Sequence, residues 1–178
     1  ELKVELLGQQ MTFLTDAGVF SKKMIDYGSR VLLSALEFNK KETLLDVGCG
    51  YGTLGLTLAK AQELEVTLVD INQRALDLAR KNADANQVSA DIFQSNVYEH
   101  VTGQFHHIIS NPPIRAGKQV VHEVISGSYD HLLADGDLTI VIQKKQGAPS
   151  AKAKMEEVFG NCETLKKDKG YYILRSVK

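Results

Sequence analysis

The chain alternates between short runs of β-branched and other apolar residues and longer stretches whose apolar residues recur at helical spacing. The runs TLLDV, EVTLVDI, ADIFQ and FHHII have the character of strands, whereas TLGLTLAKA and QRALDLARKNADAN have the period of amphipathic helices. Strands that alternate with helices in this way are typical of βαβ units around a parallel sheet. The pattern therefore predicts a doubly wound α/β fold with helices on both faces of the sheet.

The N-terminal segment departs from this alternation. Residues on either side of Gly8 alternate between polar and apolar types, which predicts a β-hairpin. Apolar residues then recur at helical spacing from Lys22 to Leu36, and Ser21 is the predicted N-cap of that helix. We expect residues 1–38 to form a lid or brace on a catalytic core that spans residues 43–178.

The C-terminal third is predicted to close the sheet with antiparallel strands. After the prolines, the pattern predicts a helix from Lys118 to Gly136, the strand DLTIVIQKK and a helix over SAKAKMEEVFG. Two strand-like runs then flank Lys169 and Gly170 and predict a terminal hairpin.

A glycine-rich turn follows the first core strand. In LLDVGCGYGTLG, Gly48, Gly50 and Gly52 lie between the strand and its helix, where the backbone must approach a ligand closely. Asp70 ends the next strand, where a carboxylate can accept hydrogen bonds from both ribose hydroxyls of an adenosine. Asp46 places a negative charge before the glycines, which would repel a pyrophosphate and attract a cation. A cationic adenosine ligand such as S-adenosylmethionine fits this arrangement better than NAD.

Two adjacent prolines follow a strand in the segment SNPPI. Proline after Asn111 favours an extended backbone at that residue, and each proline ring fixes φ near −65°. The Asn111 side-chain oxygen and the Pro112 carbonyl then form two stiff, uncharged acceptors. Such a pair can accept hydrogen bonds from a planar NH2 group and hold its nitrogen in line with a methyl-sulfur bond. The motif predicts transfer of a methyl group to an exocyclic amine.

With these motifs the chain resembles the class I S-adenosylmethionine-dependent methyltransferases, and in particular the ribosomal RNA guanine-N2 methyltransferases of the RsmC type. The resemblance rests on FLTDAGVFSKKMIDYGSRVLLSAL, LLDVGCGYGTLGLTLAK and SNPPIRAGKQVVHEVI, and it extends over essentially the whole chain. It implies a Rossmann-like methyltransferase fold with a seven-stranded, mostly parallel sheet and an antiparallel C-terminal hairpin.

The resemblance also implies roles for individual residues. The methyl donor would be held at its methionine end by Asp46, Gly48, Gly50 and Gly52, at its ribose and adenine by Asp70 and Ile71, and at its adenine edge by Asn96 and Val97. The acceptor amine would be held by Asn111 and Pro112. The substrate would be contacted by Phe20, Pro113, Ile114, Arg115 and Lys118.

Two departures from the family affect how RNA would bind. Many relatives have an aromatic residue after the prolines, where a flipped base can stack, whereas this chain has Ile114. Longer relatives carry a second, degenerate methyltransferase domain that this sequence lacks. RNA docking would then depend on Arg115, Lys118, the assembled ribosomal subunit or the basic C-terminal end. Residues 144–178 contain 9 Lys or Arg against 4 Asp or Glu, although the whole chain has a net charge of −1.

Composition limits the remaining possibilities. A chain of 178 residues with 43% hydrophobic content supports one domain, residues 1–178, and no apolar run reaches the roughly 18 residues of a membrane span. Without an export signal, the expected location is the cytoplasm. We expect no metal site, because Cys49 and Cys162 have no ligand spacing and His106 and His107 point to opposite faces of a strand.

Three alternatives remain open from the sequence. Methylation of a protein glutamine needs acceptors similar to those of the Asn-Pro-Pro motif, although the segment GVFSKKMIDYGSRVLL favours RNA. A nicotinamide-dependent oxidoreductase is disfavoured by Asp46 and by the antiparallel end of the sheet. A catalytically inactive binding module is disfavoured because Asn111 and Pro112 are both present.

Overall fold

The structure, a computed structural model, describes residues 1–15, 25–113, 115 and 117–178. Over these residues the chain forms a two-stranded sheet and a seven-stranded sheet, with helices packed on the larger one. The strands are β1 (Leu2–Leu6), β2 (Gln9–Phe13), β3 (Thr43–Val47), β4 (Glu65–Asp70), β5 (Ala90–Gln94), β6 (Phe105–Ser110), β7 (Leu132–Gln143), β8 (Glu163–Asp168) and β9 (Tyr171–Val177). The helices are α1 (Tyr27–Ala35), α2 (Thr53–Gln62), α3 (Gln73–Ala85), α4 (Gly117–Ser128) and α5 (Ala148–Phe159).

The seven-stranded sheet has the order β5-β4-β3-β6-β7-β9-β8. The first five strands pair in parallel, whereas β9 is antiparallel to both β7 and β8. The strand order reverses between β3 and β6, and ligands of open α/β sheets bind at the carboxyl ends of strands at such a switch point. The predicted doubly wound fold, its seven-stranded sheet and its antiparallel C-terminal hairpin are confirmed.

Two apolar clusters cover the two faces of this sheet. One joins residues of α1, α2 and α3 with the N-terminal hairpin, and its fully buried members include Leu32, Leu56 and Leu76. The other joins α4 and α5 to the central strands through residues such as Ile125 and Met155. Burial of one such side chain contributes about 1.5–3 kcal/mol to folding. The parallel strands are therefore covered on both faces, which explains why adjacent residues such as Leu44 and Leu45 of β3 are both apolar and buried.

The N-terminal hairpin lies on this scaffold as a separate sheet. Its turn residues Leu7 and Gly8 both have positive φ, +49° and +77°, which is the conformation of a two-residue type I′ turn. Met11 and Phe13 of β2 are buried in the cluster formed with α1, α2 and α3. The hairpin predicted around Gly8 is confirmed.

Two buried asparagines, Asn82 of α3 and its C-cap Asn86, bind the main chain at the end of the hairpin. Asn86 accepts from Thr12 N at 2.9 Å and donates to Thr12 O at 2.7 Å, and Asn82 makes the same pair with Leu14 at 2.6 and 3.1 Å. Asn82 also donates to Tyr51 O, in the turn before α2, at 2.8 Å. The two amides thus replace the ladder of hydrogen bonds that a neighbouring strand would provide.

Helix α1 begins later than the sequence pattern predicts. The predicted N-cap Ser21 and the first predicted helical residue, Lys22, lie outside the described residues, but Ile25 and Asp26 are not helical. Asp26 is the N-cap, with an extended ψ of 136° and a side chain that accepts from Ser29 N. The predicted start is therefore wrong, because an Asp at the cap position satisfies an N–H of the first helical turn there.

Strand β7 begins earlier than predicted. The helix expected to continue to Gly136 ends at Ser128, and Leu132 already pairs with Phe105 of β6. The ladder is interrupted by a bulge before Asp137, and a Cβ at Gly136 would lie 2.8 Å from His106 O. The helical pattern was misleading here because pairing with β6 determines the local structure.

No helix within the described residues is both long and apolar enough to span a membrane.

Candidate active site

The glycine turn and the Asn-Pro-Pro motif meet at the carboxyl ends of the central strands. Ser110, the last residue of β6, donates from its hydroxyl to Val47 O at the end of β3, over 2.7 Å. A Cβ placed on Gly48 would have Pro113 Cδ as a neighbour at 4.0 Å. The structure therefore brings together two motifs that are more than 50 residues apart in the sequence.

The three glycines of the turn share an unusual backbone conformation but differ in what surrounds them. Gly48, Gly50 and Gly52 all have positive φ, of +75°, +57° and +103°, where a side chain would add strain. A Cβ on Gly52 would lie 2.7 Å from Leu56 Cδ1, so this glycine permits close packing of the turn on α2. A Cβ on Gly50 would meet no atom within 4 Å, so the space above this residue is open to a ligand.

Asp70 is bound to the same turn. One carboxylate oxygen accepts from Gly50 N at 2.8 Å, and the other accepts from Asn72 N at 2.9 Å. Each carboxylate oxygen has a second lone-pair direction, so Asp70 retains acceptor capacity for hydroxyl groups. The side chain thus holds the glycine turn in place while it faces the edge where a ribose would lie.

Asp46 lies beneath the turn and is fully buried. Its Oδ2 accepts from Gly55 N at 3.1 Å, whereas Oδ1 has no hydrogen-bond partner among the described residues. The pKa of Asp46 is raised to about 7, chiefly by burial; the Gly55 N–H lowers it and the nearby charge of Asp70 raises it by smaller amounts. A cationic group close to the turn would favour the ionised form of Asp46.

The adenine end of the predicted donor site is more exposed. Ile71 follows β4 and has 62% of its surface exposed. Its carbonyl oxygen accepts from the Gln94 side chain at 2.8 Å. Asn96 is exposed after β5, and Val97 next to it has a positive φ of +56°. Ile71 thus offers an apolar surface that a planar ring could cover.

The side chain of Asn111 is fixed by the start of α1. Its Nδ2 donates to Asp26 Oδ2 at 2.8 Å and to Ser29 Oγ at 3.0 Å. A carboxylate can only accept, so the amide nitrogen must be the atom that faces Asp26. The Asn111 oxygen therefore lies on the other side of the carboxamide, away from α1.

A cavity of about 300 Å³ opens beside Asn111 and the buried Pro112. It lies between the carboxyl end of β7 and the start of α4, where its lining includes Lys118, Gln143 and Lys145, as well as Tyr171 of β9. The two lysines supply positive charge at its rim, and the tyrosine supplies an aromatic surface. The volume and chemistry of this cavity suit a nucleobase or another planar group with a polar edge.

The predicted substrate residues have different outcomes. Pro113 and Arg115 are exposed near the site, and Lys118 lines the cavity, whereas Phe20 and Ile114 lie outside the described residues. The sequence interpretation missed Asp26, Ser29 and the place of Tyr171 in the cavity, whereas Lys145 belongs to the basic C-terminal end that it named. Only Asp26 carried a recognisable signal, because it stands directly before a run of apolar residues at helical spacing.

A second polar cluster, which the sequence did not reveal, lies on β6. His107 is bonded through Nδ1 to Asp137 at 2.6 Å and through Nε2 to Glu42 at 2.9 Å, and its ring stacks on Phe38. Arg175 joins the cluster by donating to Asp137 at 2.8 Å. Burial alone would lower the pKa of His107, but the bonds to Asp137 and Glu42 outweigh it and raise the pKa. This cluster joins β6, β7 and β9 to the segment before β3.

The residues at the sheet edge fit a cationic adenosine ligand. The open space above Gly50 and the exposed Ile71 provide a surface for it, and Asp70 can accept hydrogen bonds from ribose hydroxyls. The unpartnered oxygen of Asp46 provides negative potential near the turn and no site for a phosphate. The cavity beside Asn111 and Pro112 is lined by residues other than these four and offers a separate place for an acceptor.

Comparison with known proteins supports this assignment. The sequence family described as "methyltransferase small domain" matches residues 10–175. The uncharacterized protein YbxB of Bacillus subtilis is 47% identical over 178 residues, which cover 97% of this chain and 89% of YbxB. Ribosomal RNA small subunit methyltransferase C of Erwinia tasmaniensis is 37% identical over 174 residues, or 95% of this chain and 50% of that protein.

Among solved structures, the T. thermophilus 16S rRNA N2 methyltransferase RsmC, in complex with AdoMet and guanosine, matches with a TM-score of 0.89 and 30% identity. The match covers 99% of this chain and 49% of that one. The chain therefore spans about half the length of the RsmC proteins that it matches. These findings confirm the family resemblance inferred from the sequence motifs.

Proposed function

The chain belongs to the methyltransferase small domain family, which uses S-adenosylmethionine as methyl donor, and we propose that it methylates an exocyclic amine of a base in RNA. The proposed acceptor is guanine N2 in small-subunit ribosomal RNA, and the proposed substrate is the RNA or the assembled subunit in the cytoplasm. The proposal takes its acceptor from the RsmC relatives, which are 30–37% identical. Residues 1–178 would act as one domain, with the N-terminal hairpin and α1 bracing the catalytic core.

One observation carries the proposal. The carboxamide of Asn111 has its nitrogen bound to Asp26 and Ser29, so its oxygen lies on the opposite side of the carboxamide, and Asn111 and Pro112 both line the cavity. Two neutral acceptors suit an NH2 group, because they bind both of its hydrogens without removing them. A carboxylate there would also accept hydrogen bonds, but it would add a charge close to Asp46 and Asp70.

The donor supplies an electrophilic methyl group on a positively charged sulfur. As the new carbon–nitrogen bond forms, the carbon–sulfur bond breaks and its electron pair stays on the sulfur, which becomes neutral. The acceptor nitrogen becomes a cation and loses its proton to water. Asn111 and Pro112 would hold the amine so that its lone pair points at the methyl group. In this scheme no side chain has to act as a strong base.

The proposed donor contacts follow the geometry of the edge. The methionine end would lie over Asp46, Gly48, Gly50 and Gly52, the ribose on Asp70, and the adenine against Ile71, Asn96 and Val97. The charge of Asp46 would interact with the ammonium or sulfonium group through its unpartnered oxygen. A pyrophosphate in place of this donor would lie beside two carboxylates, which disfavours a nicotinamide cofactor.

The charge around the cavity favours RNA as the acceptor. Lys118 and Lys145 line its rim. The pKa of His122 on α4 is lowered, first by burial and then by the charges of Lys118 and Lys154, so these lysines lie close together on the α4–α5 face. We define the basic face as Lys118, Lys145 and Lys154, of which Lys154 also pairs with Glu157 at 3.6 Å. It would bind the phosphates that flank the target nucleotide.

The lysines near the terminal hairpin are engaged within the protein. Lys166 donates to Ser34 at 2.8 Å, while Lys167 and Lys169 lie over the rings of Tyr172 and Tyr27. The basic C-terminal region inferred from the sequence thus divides into an internally paired group and the basic face beside the cavity. We assign RNA docking to the basic face together with Arg115.

The decisive experiment incubates the protein and labelled S-adenosylmethionine with unmodified small subunits, with protein-free 16S rRNA, and with ribosomal proteins alone. Digestion of the RNA and mass spectrometry of the nucleosides should reveal N2-methylguanosine. Label confined to protein would support glutamine methylation and contradict the RNA proposal. Binding of NAD without binding of S-adenosylmethionine in a calorimetric titration would contradict the assigned donor.

A further inference from the structure

The amide of Asn111 is anchored by two residues of the first turn of α1. The same oxygen of Asp26, Oδ2, accepts from Ser29 N at 3.2 Å and from Asn111 Nδ2 at 2.8 Å. The Ser29 hydroxyl oxygen accepts from Asn111 Nδ2 at 3.0 Å. Both hydrogens of the Asn111 amide therefore have an acceptor on α1.

This arrangement determines which way the carboxamide faces. An asparagine side chain can turn by 180° and exchange its oxygen and nitrogen with little change in shape. In the turned orientation, the Asn111 oxygen would face the Asp26 carboxylate, and the NH2 group would face the acceptor amine. Both contacts would then be repulsive, so a carboxylate at residue 26 excludes the orientation that cannot bind an amine. A charged acceptor also polarises the amide and strengthens its oxygen as an acceptor.

We infer that Asp26 is a positioning residue for methyl transfer, which fixes the orientation of the Asn111 amide and acts only through it. The inference deepens the proposed function and rests on it, because it assumes that Asn111 binds the acceptor amine. Asp26 is distant in sequence from both the glycine turn and the Asn-Pro-Pro motif, and it has no assigned contact with donor or acceptor. Ser29 would support the same orientation as the second acceptor.

Contacts of the neighbouring residues hold Asp26 close to Asn111. The Tyr27 hydroxyl donates to Asp168 at the end of β8 over 2.9 Å. A Cβ on Gly28 would lie 2.9 Å from Tyr171 Cε1 and 3.1 Å from Asp26 Oδ2, so only glycine allows this approach. The start of α1 is thus packed on the terminal hairpin, and the carboxylate is held beside the cavity.

The test separates the positioning role from the capping role of Asp26. Serine is as good an N-cap as aspartate but is too short to reach Asn111, so Asp26→Ser should keep α1 and lose the contact. We expect its single-turnover rate of methyl transfer to fall by about 10- to 100-fold, since a displacement of a reacting group by about 1 Å can cost roughly 100-fold. The dissociation constant of S-adenosylmethionine and the melting temperature should remain close to those of the wild type.

Two further variants sharpen the comparison. Asp26→Asn keeps the length and one acceptor oxygen, but its own NH2 can face a turned Asn111, so an intermediate loss of rate is expected. Ser34→Ala, at the exposed end of the same helix, removes a contact with Lys166 and should leave the rate unchanged. A wild-type rate in Asp26→Ser would overturn the inference. A parallel loss of donor binding and melting temperature in that variant would also overturn it, because a structural role would then suffice.

A measurement without turnover keeps this test independent of the proposed function. The side-chain NH2 resonances of Asn111, assigned with Asn111→Ala, should move and exchange faster with solvent in Asp26→Ser. Identical resonances in both proteins would contradict the inference even if no acceptor were methylated. If label goes to protein instead of RNA, the RNA proposal fails. The Asp26 comparison still holds in that case, because wild type and variants are assayed on the same acceptor.

Discussion

The main-chain N–H of Gly50 donates to the carboxylate of Asp70 over 2.8 Å, so the glycine turn and the acid at the end of β4 form one unit. The sequence suggested two independent donor-binding features. In the structure, Asp70 both shapes the turn and retains lone pairs for a ribose. A change at this residue should therefore affect the donor in two ways.

Asp70→Ala should weaken S-adenosylmethionine binding strongly. Loss of one charge-assisted hydrogen bond costs about 1.5–3 kcal/mol, or roughly 10- to 150-fold in affinity, and the released Gly50 N–H adds to the loss. Isothermal titration calorimetry measures this directly, with the melting temperature as a check on folding. Asp70→Asn, which keeps one acceptor oxygen, should lose less. Equal affinity in wild type and Asp70→Ala would show that the donor does not use this carboxylate.

Asn111→Ala should separate binding from chemistry. Asn111 is not among the residues proposed to hold the donor, so the dissociation constant of S-adenosylmethionine should change little. Methyl transfer should fall by at least about 100-fold, because the acceptor amine loses its rigid oxygen partner. Calorimetry and a single-turnover assay with labelled donor provide the two measurements. Loss of donor binding in this variant, to the extent seen in Asp70→Ala, would contradict the proposed division of roles.

The affinity for S-adenosylmethionine should rise with pH around neutrality. The pKa of Asp46 is raised by burial to about 7, so the carboxyl is mostly protonated at pH 6 and mostly ionised at pH 8. A bound cation favours the ionised form, and binding should therefore strengthen as pH increases through 7. Calorimetric titrations at pH 6, 7 and 8 test this.

Asp46→Asn is the matched control for this titration. An amide at residue 46 cannot ionise, so any remaining pH dependence belongs to the ligand or to other groups. The rise in affinity should disappear in the variant, and a rise of the same size would contradict a role for Asp46. The folding stability of the ligand-free protein should depend on pH with the opposite sign. Because the pKa of Asp46 is raised in the folded state, its contribution to stability is complete below its unfolded pKa of about 3.8 and is lost as pH rises through 7.

The basic face should set the salt dependence of RNA binding. Each lysine that contacts a phosphate contributes about 0.7–0.9 to the slope of log K against log salt. Lys118→Gln with Lys145→Gln should reduce the slope by about 1.5 and weaken binding without regard to sequence. Lys166→Gln with Lys167→Gln is the matched control, since these lysines already contact Ser34 and Tyr172. Fluorescence anisotropy with an RNA fragment at several salt concentrations measures the slopes. Equal slopes in the two double variants would contradict the assignment.

The parallel core could be predicted because its signals are local. Strands such as β3 and β4 contain adjacent buried apolar residues and helices such as α3 are amphipathic, and each pattern depends only on burial of the segment itself. The start of β7 could not be predicted in this way. Its first residues have a helical pattern, and only their pairing with β6 across a bulge makes them a strand.

The same distinction applies to the candidate site. Asp70 and the glycines follow strands at positions where ligand-binding residues are expected, so their position in the sequence was sufficient. The partner of Asn111 is 85 residues away, and no local pattern links Asp26 to it. The bonds of His107 to Asp137 and Glu42 likewise span 30 and 65 residues. Contacts of this kind become visible only when the sheet order is known.

The His107 cluster should make stability depend on pH. His107 lies mostly buried between Asp137 and Glu42, and its pKa is raised above its ordinary value of 6.5 by these bonds, against the effect of burial. A raised folded-state pKa gives stability that is complete below 6.5 and is lost as pH rises through the folded value. The pKa of Glu42 is lowered from its ordinary value of 4.5, chiefly by its bond to His107. Its contribution to stability is therefore complete above pH 4.5 and is lost as pH falls through the lowered pKa. The cluster should therefore stabilise most between about pH 4.5 and 6.5.

His107→Asn tests this expectation, because asparagine keeps a polar side chain but cannot carry the charge. At pH 6 the variant should unfold with a free energy lower by about 1–3 kcal/mol, the range for hydrogen bonds to charged groups. The difference should shrink as pH rises through the raised pKa of His107, because the wild-type side chain then loses its charge as well. Denaturant titrations of both proteins from pH 4 to 9 measure this difference in unfolding free energy. Asp46 titrates in both proteins, so its effect cancels when the two are subtracted. A difference that stays constant across this range would mean that His107 contributes through its stacking on Phe38, and the predicted ion pairs would be wrong.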